Sequence, residues 1–256
     1  MSAGRTWAAT RLWLRDLRRR PLLLVLLVVT PAFFITRSIA ATQPIPRAVG
    51  LPGGGVALST MRDIHGATMA AITVAFLSGL VGVFIMLAAK QADRRLVLAG
   101  FRGLEAVASR FLVLLTATGI ITAVSLLVTA RDFDPRDFFA FAVGTTLVAV
   151  TYAGIGALAG SLLGRVGATY LVLFLAMTDL GIAQNPMFGS GHPPGWALAL
   201  PGYPAMRVVI AASFGRHDTV PTLELIGALV VVVVVGVAVV ALLGWSLQRP
   251  RRALIR

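Results

Sequence analysis

Apolar residues run in long uncharged blocks along this chain, and polar and basic residues gather between the blocks. The clearest block is residues 67–89, which carries no charge before Lys90. About 20 apolar residues are enough to cross the hydrocarbon core of a bilayer, so this block predicts a transmembrane helix. Five more blocks follow the same logic: 21–41, 111–130, 138–163, 168–183 and 223–247. The first contains Pro31, which a packed bundle tolerates. The last contains the valine run Val230–Val235.

The segments between the blocks read as connections. Residues 37–66 hold Pro44, Pro46, Pro52 and Gly53-Gly54-Gly55, and predict a loop. Residues 90–110 are mixed and polar, 131–137 form a short acidic turn, and 164–167 a tight turn around Arg165. Residues 184–222 are rich in proline, glycine and polar groups, with a helical stretch at 205–214. The expected fold is all-α: a single transmembrane domain over 1–256 with six spans.

Residues 5–20 have their own period. On a helical wheel Trp7, Trp13, Leu14 and Leu17 share one face, and Arg11, Arg15, Arg18 and Arg19 the other. This predicts an amphipathic helix lying in the membrane interface; the alternative is a flexible basic tail. Arg18-Arg19-Arg20 before an apolar core, with Ser38-Ile39-Ala40 beyond it, also has the outline of a signal peptide. The length and amphipathic pattern of the leading region argue against cleavage.

Composition narrows the class. Hydrophobic types make up 57% of the 256 residues and charged types 13%, and the mean hydropathy is +0.87. Soluble domains carry about 25% charged residues, so a soluble globular protein is excluded, as is a disordered chain. The formal net charge is +13. The basic residues sit at the ends of apolar runs, which fits anionic headgroups better than nucleic acid. Only Lys90 among them is lysine, an arginine bias that fits a GC-rich bacterial genome.

The distribution of arginine and lysine orients the spans. Sixteen fall at the N-terminus, in 90–110, at Arg165 and at the C-terminus, against seven on the other side. The positive-inside rule then puts both termini in the cytoplasm of a bacterial plasma membrane.

Several chemistries have no residues to carry them. Cysteine is absent, which removes disulfides, thiolate metal sites and cysteine nucleophiles. There is no Gly-x-x-x-x-Gly-Lys-Ser/Thr phosphate loop, no His-Glu-x-x-His and no Gly-x-Ser-x-Gly. His65, His192 and His217 all lie in predicted outer loops, so no metal is expected. Catalysis has no support in the sequence.

Four groups of residues stand out. Leu96-Val97-Leu98-Ala99 and Phe101, between charges and broken by Gly100 and Gly103, predict a short helix offering an apolar knob to another protein; a solvated connector is the alternative. Asp179 falls inside the fifth span, where an acid costs a few kcal/mol and must face the bundle interior or a wet path. Its two readings are a gate or substrate contact, and a buried acid satisfied by Asn185 or loop backbone. Phe33, Phe34, Phe174 and Met177 are candidates to line an apolar path, or else pack and meet lipid. Gly156, Gly160 and Gly164 recur every four residues and predict close helix packing within the subunit, with a dimer contact as the alternative. Trp196, like Trp7 and Trp13, suits an interface.

Taken in order, these parts resemble the membrane subunit of ABC-2 type exporters. Residues 93–101 look like that family's coupling helix. The stretches 185–188, 194–196 and 203–207 look like its outer re-entrant region. Many members carry an acid-rich run leading to Gly-Thr-Leu-Glu at the coupling position, where this chain has Lys90-Gln91-Ala92-Asp93-Arg94-Arg95. The resemblance implies contacts to an ATPase through Asp93, Arg94, Arg95, Leu96, Phe101 and Glu105. It implies two cytoplasmic ATPase subunits holding ATP and Mg, and a second permease subunit, identical or a sibling. This chain itself would hold no cofactor. The expected function is ATP-driven export of a lipophilic or amphipathic compound such as a drug, antibiotic or lipid. The alternatives are an ATP-independent channel or secondary transporter, and an intramembrane enzyme.

Overall fold

A computed structural model describes the backbone of residues 21–98, 103–188, 191–215 and 221–253, and the side chains of these except 21–24, 26–27, 89–98, 103–107 and 244–253. The interfacial helix expected at 5–20, with Trp7 and Trp13, lies outside the described residues, as does Phe101.

Helix α1 runs Pro21–Ala41 through Pro31. A two-stranded antiparallel hairpin follows, β1 (Pro46–Gly50) against β2 (Val56–Thr60), with Ala48 opposite Leu58. Then come α2 (Met61–Leu98), α3 (Gly103–Asp132), α4 (Phe138–Leu162) and α5 (Gly164–Ala176), which continues into a π-helical turn, Met177–Ala183. A 3₁₀ turn at Gly195–Ala199 leads to the short α6 (Tyr203–Phe214), and α7 (Thr222–Ala253) closes the fold.

Among the described residues, five helices are long and apolar enough to cross a membrane: Met61–Ala88, Ala108–Asp132, Phe138–Leu162, Gly164–Ala183 and Thr222–Leu243. The chain is a helical membrane-embedded protein. The block at 21–41 is helical throughout, but only Val28–Ala41 of it counts as an apolar helix among the described residues.

Four expectations need correcting. The 37–66 segment is no loop: the all-α class admits one hairpin. The glycines that read as loop form its tip, where Gly53, Gly54 and Gly55 take positive φ values that side chains resist. The second span begins six residues early, at Met61, because Thr60 and Asp63 cap α2. The Thr60 hydroxyl donates to the Asp63 carboxylate at 2.7 Å and accepts the Asp63 N–H at 3.2 Å. The stretch 93–98 is no separate short helix: Asp93, Arg94, Arg95 and Leu96 belong to the last turns of α2, and Glu105 to the first turn of α3. Charge ends an apolar run, but it does not end a helix. Finally, Gly164 does not pack against a neighbour. It sits at φ +72°, with open space where a Cβ would point, and turns the chain at once from α4 into α5.

Helix α2 is the buried centre and α7 the periphery: 61% of the apolar stretch of α2 is buried, against 11% for α7. The approach of α2 to α4 is set by glycine. A Cβ on Gly156 would fall 1.9 Å from the carbonyl oxygen of Gly79, and one on Gly82 would fall 2.2 Å from that of Ala153. One on Gly160 would fall 2.8 Å from the carbonyl oxygen of Val83. Four glycines thus interleave, and the backbones touch.

Candidate functional site

The chain crosses back and forth, so the hairpin, the 132–138 connection and the start of α7 share one end of the bundle, and the Gly164 turn lies at the other. At the hairpin end α5 stops short. Its last residues widen into the π-helical turn, where the Gln184 N–H reaches the Asp179 carbonyl five residues back at 3.1 Å. Such turns release one residue from the regular ladder and cluster at functional sites.

Asp179 sits in that turn and is fully buried. Three donors converge on its carboxylate. The Tyr152 hydroxyl of α4 reaches Oδ2 at 2.7 Å, and the Gly202 backbone N–H reaches Oδ2 at 2.7 Å. The Gln184 side-chain amide donates to Oδ1. A carboxylate in apolar surroundings persists only with such partners. The acid therefore ties together α4, the end of α5 and the loop leading into α6.

Helix α6 is buried from Ala205 through Phe214. Its start is held at Asp179 through Gly202. Its far end is held at the α3–α4 connection: Asp137 donates its backbone N–H to Ala212 O at 2.9 Å, and Arg136 Nη1 donates to Gly215 O at 3.1 Å. There Phe133 packs against both Phe141 and Phe214, each at 6.1 Å between ring centroids. Arg207, also buried, extends from α6 to donate through Nη1 to Gly50 O at 3.1 Å. The hairpin is fastened a second time where Gly50 N–H donates to Gly191 O at 3.0 Å, with the His192 ring lying against Gly50.

The other expected residues divide. Asn185 is buried but does not serve Asp179; its Oδ1 accepts the Met187 N–H at 3.0 Å and closes its own turn. Phe33, Phe34, Phe174 and Met177 are all more than half exposed on the outside of the single chain. Phe33 and Phe34 pack edge to face, and Phe174 stacks on Tyr170. Trp196 is exposed on the 3₁₀ turn.

The sequence alone does not single out Tyr152, Gln184 or Gly202, and Arg207 enters only as the end of the 203–207 stretch. One signal was there to read: an acid inside a span requires donors, and Tyr152 is a phenol in the middle of the preceding span. No family model matches the chain, and no curated protein matches it. Fold and site together define a helical membrane-embedded protein with a polar knot at one end of the bundle.

Proposed function

We propose that this chain is the permease subunit of an ATP-binding cassette exporter of the ABC-2 type. In this reading it moves a lipophilic or amphipathic compound out across a bacterial plasma membrane. Both termini are cytoplasmic, and the hairpin end faces outward. Two ATPase chains supply ATP hydrolysis, and a second permease subunit completes the path.

The observation that carries the reading is α6. Twelve residues span only about 18 Å, too little to cross a bilayer, yet the helix is buried along its length and anchored at both ends in one half of the bundle. Non-spanning backbone at membrane depth persists only when protein buries it, and an outer re-entrant segment has this form. The absence of a phosphate loop in the sequence fits an energy source on another chain.

The outward-facing apolar side chains Phe33, Phe34, Phe174 and Met177 then meet the second subunit or the cargo. The end of α2, with Leu96, meets the ATPase. Asp179 acts as a structural tie at the outer gate rather than as a carrier of substrate charge, because its lone pairs are already engaged by three donors. That engagement disfavours a secondary transporter, which needs an acid free to exchange its partner.

A P-loop ATPase is expected to co-purify with this chain, and the test is reconstitution of the two together in vesicles. ATP-dependent flux of an amphipathic fluorophore is expected, with none from either component alone. Uphill flux or turnover by the purified chain alone overturns the proposal.

A further inference from the structure

Two opposite charges, Arg207 of α6 and Glu224 of α7, lie near the same packed contact at the hairpin end, and no ion pair joins them among the described residues. Gly227 of α7 packs against Pro204 of α6, 3.2 Å from where its Cβ would lie to Pro204 Cβ. The two helices are joined by a short connection and run antiparallel. Three residues up from that contact on one helix is Arg207, and three residues down on the other is Glu224, so equal rise puts them at the same height. Burial disfavours the charged form of Arg207, and the nearby Glu224 carboxylate favours it. Among the described residues, Arg207 hydrogen-bonds Gly50 O, through Nη1, and no other group. A guanidinium carries five donors, and a buried charge without a counter-ion in contact is costly. Glu224 is half-buried in the first turn of α7, beside the exposed apolar side chains of Leu223, Ile226, Leu229 and Val230.

We propose that Arg207 and Glu224 form a headgroup site for a zwitterionic phospholipid of the phosphoethanolamine type. The phosphate accepts hydrogen bonds from the free guanidinium donors of Arg207, which suit a phosphate geometrically. The ammonium lies against the Glu224 carboxylate. The acyl chains run down the apolar face of α7 that starts at Leu223. A purely anionic lipid satisfies Arg207 but meets Glu224 with like charge. A soluble anion has no use for the apolar face. The site stands whether or not the chain exports anything, since it is read by lipid binding and not by flux.

The experiment incubates the full chain in mixed vesicles of phosphatidylethanolamine and phosphatidylglycerol at equal mole fraction, and counts retained lipids by native mass spectrometry. Wild type is expected to enrich phosphatidylethanolamine. Glu224→Gln should lose that preference by roughly fivefold, the worth of about one charged contact, while phosphatidylglycerol retention rises. Arg207→Lys, which keeps the charge but loses the fork, should lower retention of both lipids. No preference in wild type, or an unchanged preference in Glu224→Gln, overturns the proposal. So does full displacement by glycerophosphoethanolamine, since a ligand without chains would then suffice. Glu224→Gln changes one half-buried surface group, so its fold is retained even if the buried Arg207 variant unfolds.

Discussion

Tyr152 donates its hydroxyl to the buried carboxylate of Asp179 across 27 residues of sequence, at 2.7 Å. The bond joins the middle of α4 to the π-helical end of α5. Through the same carboxylate oxygen Asp179 also holds Gly202. Removing the acid strands three donors at once; removing the phenol strands none, but takes one donor away. Asp179→Ala should therefore destabilise the protein by about 3 kcal/mol or more, and Tyr152→Phe by about 1–2 kcal/mol. Thermal unfolding in detergent reads both. Equal effects, or a milder Asp179→Ala, would contradict the knot described above.

Glycine supplies a built-in comparison. A Cβ at Gly156 would collide with the Gly79 carbonyl, whereas one at Gly119 of α3 meets nothing within 4 Å. Backbone cannot yield as a side-chain tip can. Gly156→Ala should cost about 1–3 kcal/mol through overpacking. Gly119→Ala should gain about 0.5–1 kcal/mol from the lower helix-forming cost of alanine. If the two variants unfold at the same temperature, the α2–α4 contact is not as close as described.

Gly164 separates two effects that sequence spacing had merged. It continues the four-residue repeat of Gly156 and Gly160 but has open space around it, and only its φ of +72° demands glycine. Gly164→Ala should cost about 1–2 kcal/mol through the left-handed backbone alone, and Gly164→Asn less, since asparagine tolerates that region. A packing role would reverse that order, because asparagine is the larger residue.

How much of this was open to reading depends on the range of each interaction. The cores of five long helices follow from uncharged runs, since hydrocarbon imposes its thickness on the chain itself. The hairpin was hidden because its strands are five residues each and their alternation is weak. Its stability comes from Val49 buried on the bundle and from Gly50 bound to Gly191, 141 positions away. The overrun of α2 past Lys90 was hidden because hydropathy marks the membrane and not the helix. Asp179 was legible as costly, but its partners lie 27, 5 and 23 positions away and only folding brings them together.

That overrun yields the last prediction, which rests on the exporter reading. From Ala88, the end of its membrane-crossing stretch, α2 continues to Leu98, about 15 Å at 1.5 Å per residue. The same helix passes the Gly79 and Gly82 contacts with α4 and ends at the Thr60–Asp63 cap beside the hairpin. One continuous helical rod thus links the proposed ATPase contact to the outer end, and in this reading it carries a push on Leu96. Ala92→Pro, outside the membrane-crossing stretch, breaks the rod by removing a helical hydrogen bond and clashing with the preceding turn, at about 3 kcal/mol. The assembled transporter should keep hydrolysing ATP while flux falls at least tenfold. Leu96→Glu should instead abolish ATP-driven flux by weakening ATPase attachment, so less ATPase co-purifies. Normal flux in Ala92→Pro would mean that the force does not travel along α2, and normal ATPase retention in Leu96→Glu would remove the end of α2 from the docking surface.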